Sequence, residues 1–170
     1  MQINVDCNGN STGSIDLTIV GSSLSYTTLW SSGQITEDIN NLSAGNYTCT
    51  ITDANACTDN ISVTIIEPPL LVASIGSTTD VSCYGYNDGS ISVIATGGTP
   101  SYQYSIDGGA TWSTSNILTG LTLGLYTIDI KDASNCPDNI SVTIIEPPLL
   151  VVSIGSTTDV SCFGMSDGEI

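Results

Sequence analysis

Six cysteines, at positions 7, 49, 57, 83, 136 and 162, and 17 carboxylates are the side chains of this 170-residue chain that could do chemistry. There is no histidine and no arginine, and Lys131 is the single cation. A Ser-His-Asp or Cys-His nucleophile, a histidine-ligated zinc and a guanidinium clamp are therefore excluded. The formal net charge of -16 excludes nucleic acid as a partner whose phosphates must be neutralised. A glycosidase acid and base is the remaining enzymatic option, but the carboxylates are scattered over turn sequences. The expectation is a protein that is not an enzyme.

The residues around these groups repeat. Asp59 to Cys83 recurs as Asp138 to Cys162 at an offset of 79, with Ala73 replaced by Val152 as the single difference. Cys7, Gly9, Gly13 and Ile15 fall on Cys83, Gly85, Gly89 and Ile91 at an offset of 76, and a three-residue deletion between Trp30 and Leu42 restores the longer period. A fixed period of this size marks a tandem array. The expected units are 1–69, degenerate and short at its N-terminal side, 70–148, complete, and 149–170, the start of a third copy. The chain reads as a window cut from a longer protein.

Each copy alternates with a period of two, as in Ile91, Val93 and Ala95 or Ile140, Val142 and Ile144, and turn residues such as Asn87-Asp88-Gly89 and Asp107-Gly108-Gly109 separate the runs. Apolar residues nowhere recur at helical spacing over three turns. The expected fold is all-β, a row of tandem Ig-like β-sandwiches. Leu42 to Tyr47 and Leu121 to Tyr126 each place a Leu, a turn Gly and a Tyr in the order a tyrosine corner needs, with Tyr47 and Tyr126 as the corner residues. Glu67-Pro68-Pro69 and Glu146-Pro147-Pro148 follow the last strand of each copy and predict short, stiff linkers.

Within this frame Cys7, Cys83 and Cys162 open copies, whereas Cys57 and Cys136 close them. The economical pairing is Cys7 with Cys57 and Cys83 with Cys136, which makes Cys162 the partner of a residue outside the chain. Cys49 aligns with Ile128 and reads as a small buried hydrophobe, with a reactive thiol as the alternative. Regular pairing implies an oxidising, extracellular setting. No apolar run approaches the roughly 20 residues of a membrane span, so membrane insertion by this segment is not expected.

The run Cys83-Tyr84-Gly85-Tyr86-Asn87-Asp88-Gly89-Ser90-Ile91, then Thr96-Gly97-Gly98, Tyr102 to Asp107, Leu121 to Tyr126, Asp132 to Cys136 and Glu146-Pro147, resembles in order the SprB-type repeat of large surface adhesins of gliding Bacteroidetes. The first copy departs from the pattern at Asn8, at Thr12 and in lacking the central Gly-Gly. The resemblance implies type IX secretion, display on the outer surface in association with the outer membrane, and a role in adhesion and gliding. The implied partners are an extracellular surface or glycan, the secretion and gliding machinery of the parent, and neighbouring repeats or copies.

Two further groups of residues carry alternatives. Asp80, Asn87, Asp88 and Asp107 could offer oxygens to calcium, or could simply hold turns; no other cofactor is expected. Trp112 could stack on a sugar ring as a surface contact, or cover one end of its sandwich. Trp30 ends an apolar strand pattern and reads as core. The five Asn-x-Ser/Thr triplets arise by chance in so Ser/Thr/Asn-rich a chain and imply no glycans. Leu149 to Gly155 duplicates Leu70 to Gly76, which suggests a strand available for edge addition to an adjoining sandwich. The functional expectation is an adhesin stalk; the alternative is a structural subunit of an extracellular filament.

Overall fold

The computed structural model describes residues 1–20 and 25–169. Among these residues every regular element is a strand, and no helix is long and apolar enough to cross a membrane. Six strands form a first unit: β1 (Gln2–Ile3), β2 (Gly13–Ile15), β3 (Tyr26–Trp30), β4 (Ile39–Leu42), β5 (Gly45–Asp53) and β6 (Thr58–Ile65). Six more form a second: β7 (Val72–Thr79), β8 (Gly89–Thr96), β9 (Gln103–Ser105), β10 (Ile117–Leu121), β11 (Gly124–Lys131) and β12 (Pro137–Ile144).

Each unit is two three-stranded antiparallel sheets, ordered β1-β2-β4 and β3-β5-β6 in the first, β7-β8-β10 and β9-β11-β12 in the second. The chain starts in one sheet, crosses for its third strand, returns for its fourth and crosses again for its fifth and sixth. That is the immunoglobulin connection, A, B and E facing C, F and G, without a D strand. The alternating pattern explains the layers, since a period of two sends every second side chain between the sheets. Ile91 and Val93 from β8 meet Ile128 and Ile130 from β11 there, all 0% exposed. Each such burial contributes about 1.5–3 kcal/mol. A separate core gathers Ile15, Trp30, Ile39, Leu42, Cys49 and Ile65 in the first unit.

The crossover from the fourth to the fifth strand carries the tyrosine expected from the sequence. Tyr47 Oη donates to the Ser43 carbonyl at 3.0 Å, and Tyr126 Oη donates to that of Thr122 at 3.1 Å. Both bonds reach four residues upstream and close the corner. Cys49 is fully buried opposite Trp30 in the β3–β5 pair, and burial pushes its thiol up, which keeps it protonated and inert.

Residues 66–71, with Pro68 and Pro69, run between β6 and β7 without strand structure. Beyond β12, residues 145–169 hold one isolated bridge, Thr158 to Glu169, and Leu150 and Val152 are each 88% exposed.

Candidate functional site

Specific polar and covalent contacts gather where the two units meet. Its first half is the turn after β1. Gly9 and Gly85 take positive φ, 79° and 77°, at equivalent places in the two units, so the loop can curl back on itself. Curling presents the Gly9 amide to Glu67 Oε2 at 2.7 Å and lets Asn8 Nδ2 donate to the Pro68 carbonyl at 3.1 Å. The opening turn thus grips the outgoing linker.

The second half is the turn between β11 and β12. Asp132, 3% exposed, organises it: Oδ1 accepts from the amides of Ser134 at 2.8 Å and Cys136 at 2.9 Å, and Oδ2 accepts from Thr99 at 2.7 Å. Thr99 follows Gly97-Gly98, where the linker is seated. The Gly98 amide donates to the Pro69 carbonyl at 2.8 Å, and Tyr102 Oη donates to the Gly97 carbonyl at 2.7 Å. A Cβ on Gly97, whose φ is 74°, would lie 1.9 Å from the Leu70 carbonyl oxygen, and one on Gly98 2.6 Å from Asp132 Oδ2. A side chain at Gly97 would have to move the linker, and one at Gly98 the Asp132 carboxylate.

Between these halves Cys7 and Cys136 form a disulfide, with their Cα atoms 5.5 Å apart and a sequence separation of 129. This corrects the pairing expected from spacing. Cys7 does not join Cys57, and Cys83 does not join Cys136; Cys57, Cys83 and Cys162 are unpaired and exposed. The reason is strand direction. Cys57 lies where the eight-residue strand β6 begins, while Cys7 lies beside Glu67, just beyond its end. At about 3.3 Å per residue those positions are some 25 Å apart, against the 4.4–6.8 Å a disulfide allows. The opening cysteine of one unit can reach only the closing cysteine of the next, across the linker.

Of the residues considered for calcium, the three aspartates accept hydrogen bonds from the protein itself. Asp80 Oδ1 accepts from the Ile145 amide at 3.0 Å, and Asp88 Oδ1 from the Ser82 amide at 3.0 Å. Asp107 accepts from the hydroxyls of Ser105 and Thr111 and from the Thr111 amide, and these bonds, the hydroxyl of Ser105 first, hold its carboxyl well below the usual carboxylate range. Asn87 is exposed in the same loop as Asp88. Among the described residues no three Cys, Asp or Glu side chains converge as metal ligands would. Trp112 is half-buried, with Lys131 Nζ 4.2 Å from its ring centroid, so one face of the indole is covered by the chain's only cation.

Comparison with known proteins agrees with the resemblance read from the residues. The family model described as SprB repeat matches twice, at residues 2–35 and 75–111. No curated protein matches the chain. Among solved structures, that of the amphioxus IgVJ-C2 molecule is 14% identical over 85% of this chain and 96% of that one, with a TM-score of 0.31.

Proposed function

We propose that a chain carrying SprB repeats latched in this way is a segment of an extracellular adhesin stalk, exported by type IX secretion, held at the outer membrane and engaged in surface adhesion and gliding. The single observation that carries the reading is the Cys7–Cys136 bond, which spans the linker between two units. Each unit already has its own core, so this bond is not needed to hold either sandwich together. Its work is at the joint. Disulfide, seated prolines and Asn8 and Glu67 contacts fix one repeat against the next, and a row of such joints is a stiff rod. A rod that presents a distant end, with weak contacts multiplied along its length, suits adhesion better than catalysis.

Two other features support an exposed life outside the cell. A structural disulfide persists in oxidising surroundings. A single Lys and no Arg leave one site for trypsin-like proteases, and that Lys131 is half-buried against Trp112. In this reading the contacts to a surface or glycan are made by exposed loops.

Antibody raised against residues 70–148, imaged on cells that make the parent protein, tests the reading. Thin single-chain threads projecting from the cell surface are the expected result. Regular multi-chain fibres would favour a filament subunit instead, and label confined to the cell interior would overturn both.

A further inference from the structure

Each unit also carries one half of a second joint of this kind, with its cysteine free. The opening turn of the second unit reproduces that of the first. The Gly85 amide donates to Glu146 Oε2 at 2.9 Å, as Gly9 does to Glu67, and the Tyr86 amide donates to the Cys83 carbonyl at 3.0 Å, as Asn10 does to that of Cys7 at 3.1 Å. The closing turn of the first unit likewise reproduces that of the second. Asp53 Oδ1 accepts from Asn55 at 2.8 Å and Cys57 at 2.9 Å, the distances found at Asp132, and Ala56 and Asn135 share a φ of 64°. Both half-sites are thus shaped before any bond forms.

Their surroundings match too. A shallow hollow bounded by Asn8, Pro68, Pro69 and Leu71 flanks the Cys7–Cys136 bond. Beside Cys83 the equivalent hollow is bounded by Tyr84, Pro147, Pro148 and Leu150, but the face that Cys136 and Pro137 supply in the first is open. Tyr84 is 54% exposed and Leu150 88% exposed at this open side. Exposed thiols on preformed, apolar-edged turns are what a latch looks like before its partner arrives.

We infer that Cys57 and Cys83 are the two halves of a second latch of the same kind, with another repeat as the partner. Cys83 bonds the closing cysteine of a repeat docked after it, and Cys57 the opening cysteine of a repeat docked before it. The inference rests on the stalk reading above, and extends it to a covalent ladder in which every joint is stapled. In forming each bond the two thiols lose two protons and two electrons to a disulfide oxidant, which leaves as two thiols. In solution the partner repeat is supplied by a second copy of this chain, through Cys57–Cys83 pairs that join copies head to tail.

The test uses the full chain with Cys162→Ser, which removes the third opening cysteine as a competitor. It is incubated at high concentration with glutathione disulfide, because between copies no linker raises the effective concentration. Non-reducing electrophoresis should show a ladder of multimers, and unreduced peptide mapping should find Cys7–Cys136 within chains and Cys57–Cys83 between them. Adding Cys57→Ser or Cys83→Ser should cut the ladder at least tenfold. Cys57 and Cys83 remaining open to alkylation while Cys7–Cys136 forms, or pairing as Cys57–Cys57 and Cys83–Cys83, would overturn the ladder but leave the first joint standing. Cys7–Cys57 and Cys83–Cys136 pairs would overturn both.

Discussion

Donor and acceptor trade places between the opening turns of the two units. In the second, the Asp88 carboxylate accepts from the amide and hydroxyl of Ser82; in the first, Asp6 occupies the position of Ser82 and Thr12 that of Asp88. The Asp6 amide donates to Thr12 Oγ1 at 3.0 Å, and the Thr12 hydroxyl donates in turn to Asp6 Oδ1 at 2.7 Å. A third version, Ser161 to Asp167 at 3.0 Å, follows the second unit. The loop requires one carboxylate and one hydroxyl six residues apart, and either order satisfies the same backbone amide. The cores show a similar exchange. Trp30 is buried with Thr28 two residues before it, whereas the second unit buries Tyr104 and leaves Ile106, the equivalent of Trp30, 43% exposed. Topology survives these exchanges because it depends on the alternation and the corner, and both are kept.

The largest effect expected from this comparison is at the core. Trp30→Ala should destabilise the first unit by roughly 3–5 kcal/mol. Because the cores are separate, calorimetry should show one transition moving to lower temperature and the other staying put; a joint shift of both would mean the units do not fold independently. The exchanged turn offers a finer test. Asp6→Ser alone should lower the first unit's urea midpoint, and adding Thr12→Asp should restore most of the loss, a coupling read from a double-mutant cycle of urea midpoints. Additive losses would show that order does matter.

Acid should act on the same carboxylates. Hydroxyl bonds lower Asp6 through Thr12, Asp88 through Ser82 and Asp107 through Ser105, so each has a folded pKa below its unfolded value near 3.9. Their contribution is present above about pH 4 and is lost as pH falls through the folded values. Asp107→Asn should flatten the acid limb of the second unit's stability curve and leave that of the first unchanged; equal flattening in both would contradict the assignment. Smallest is Lys131→Ala, which removes the ammonium from the face of Trp112 at a cost of about 0.5–1 kcal/mol, detected as a small shift in the second unit's thermal midpoint.

The strands, the tyrosine corners, the burial of Cys49 and of Trp30 were legible because each is written locally, in alternation or in a fixed short spacing. The disulfide partner was not, because pairing is set by where a strand ends in space. Counting one opening and one closing cysteine per copy treats the two as neighbours, although β6 and β12 carry the chain from the closing cysteine to the far end of the unit before the linker begins. The eight alternating residues after Cys57 held that information. Gly97-Gly98 was visible as a turn, but its task of seating the linker of the preceding unit depends on contacts between copies that no single period displays. The positions aligned with it in the first unit, Gly21 and Ser22, lie outside the described residues.

What the joint does can be measured directly by small-angle X-ray scattering of the full chain before and after reduction of its disulfide. An elongated particle of narrow size distribution should loosen on reduction, or on Cys7→Ser, into a broader ensemble, while circular dichroism of the strands stays unchanged. Scattering that is the same in both states would contradict the claim that the bond across the linker sets how one repeat stands on the next.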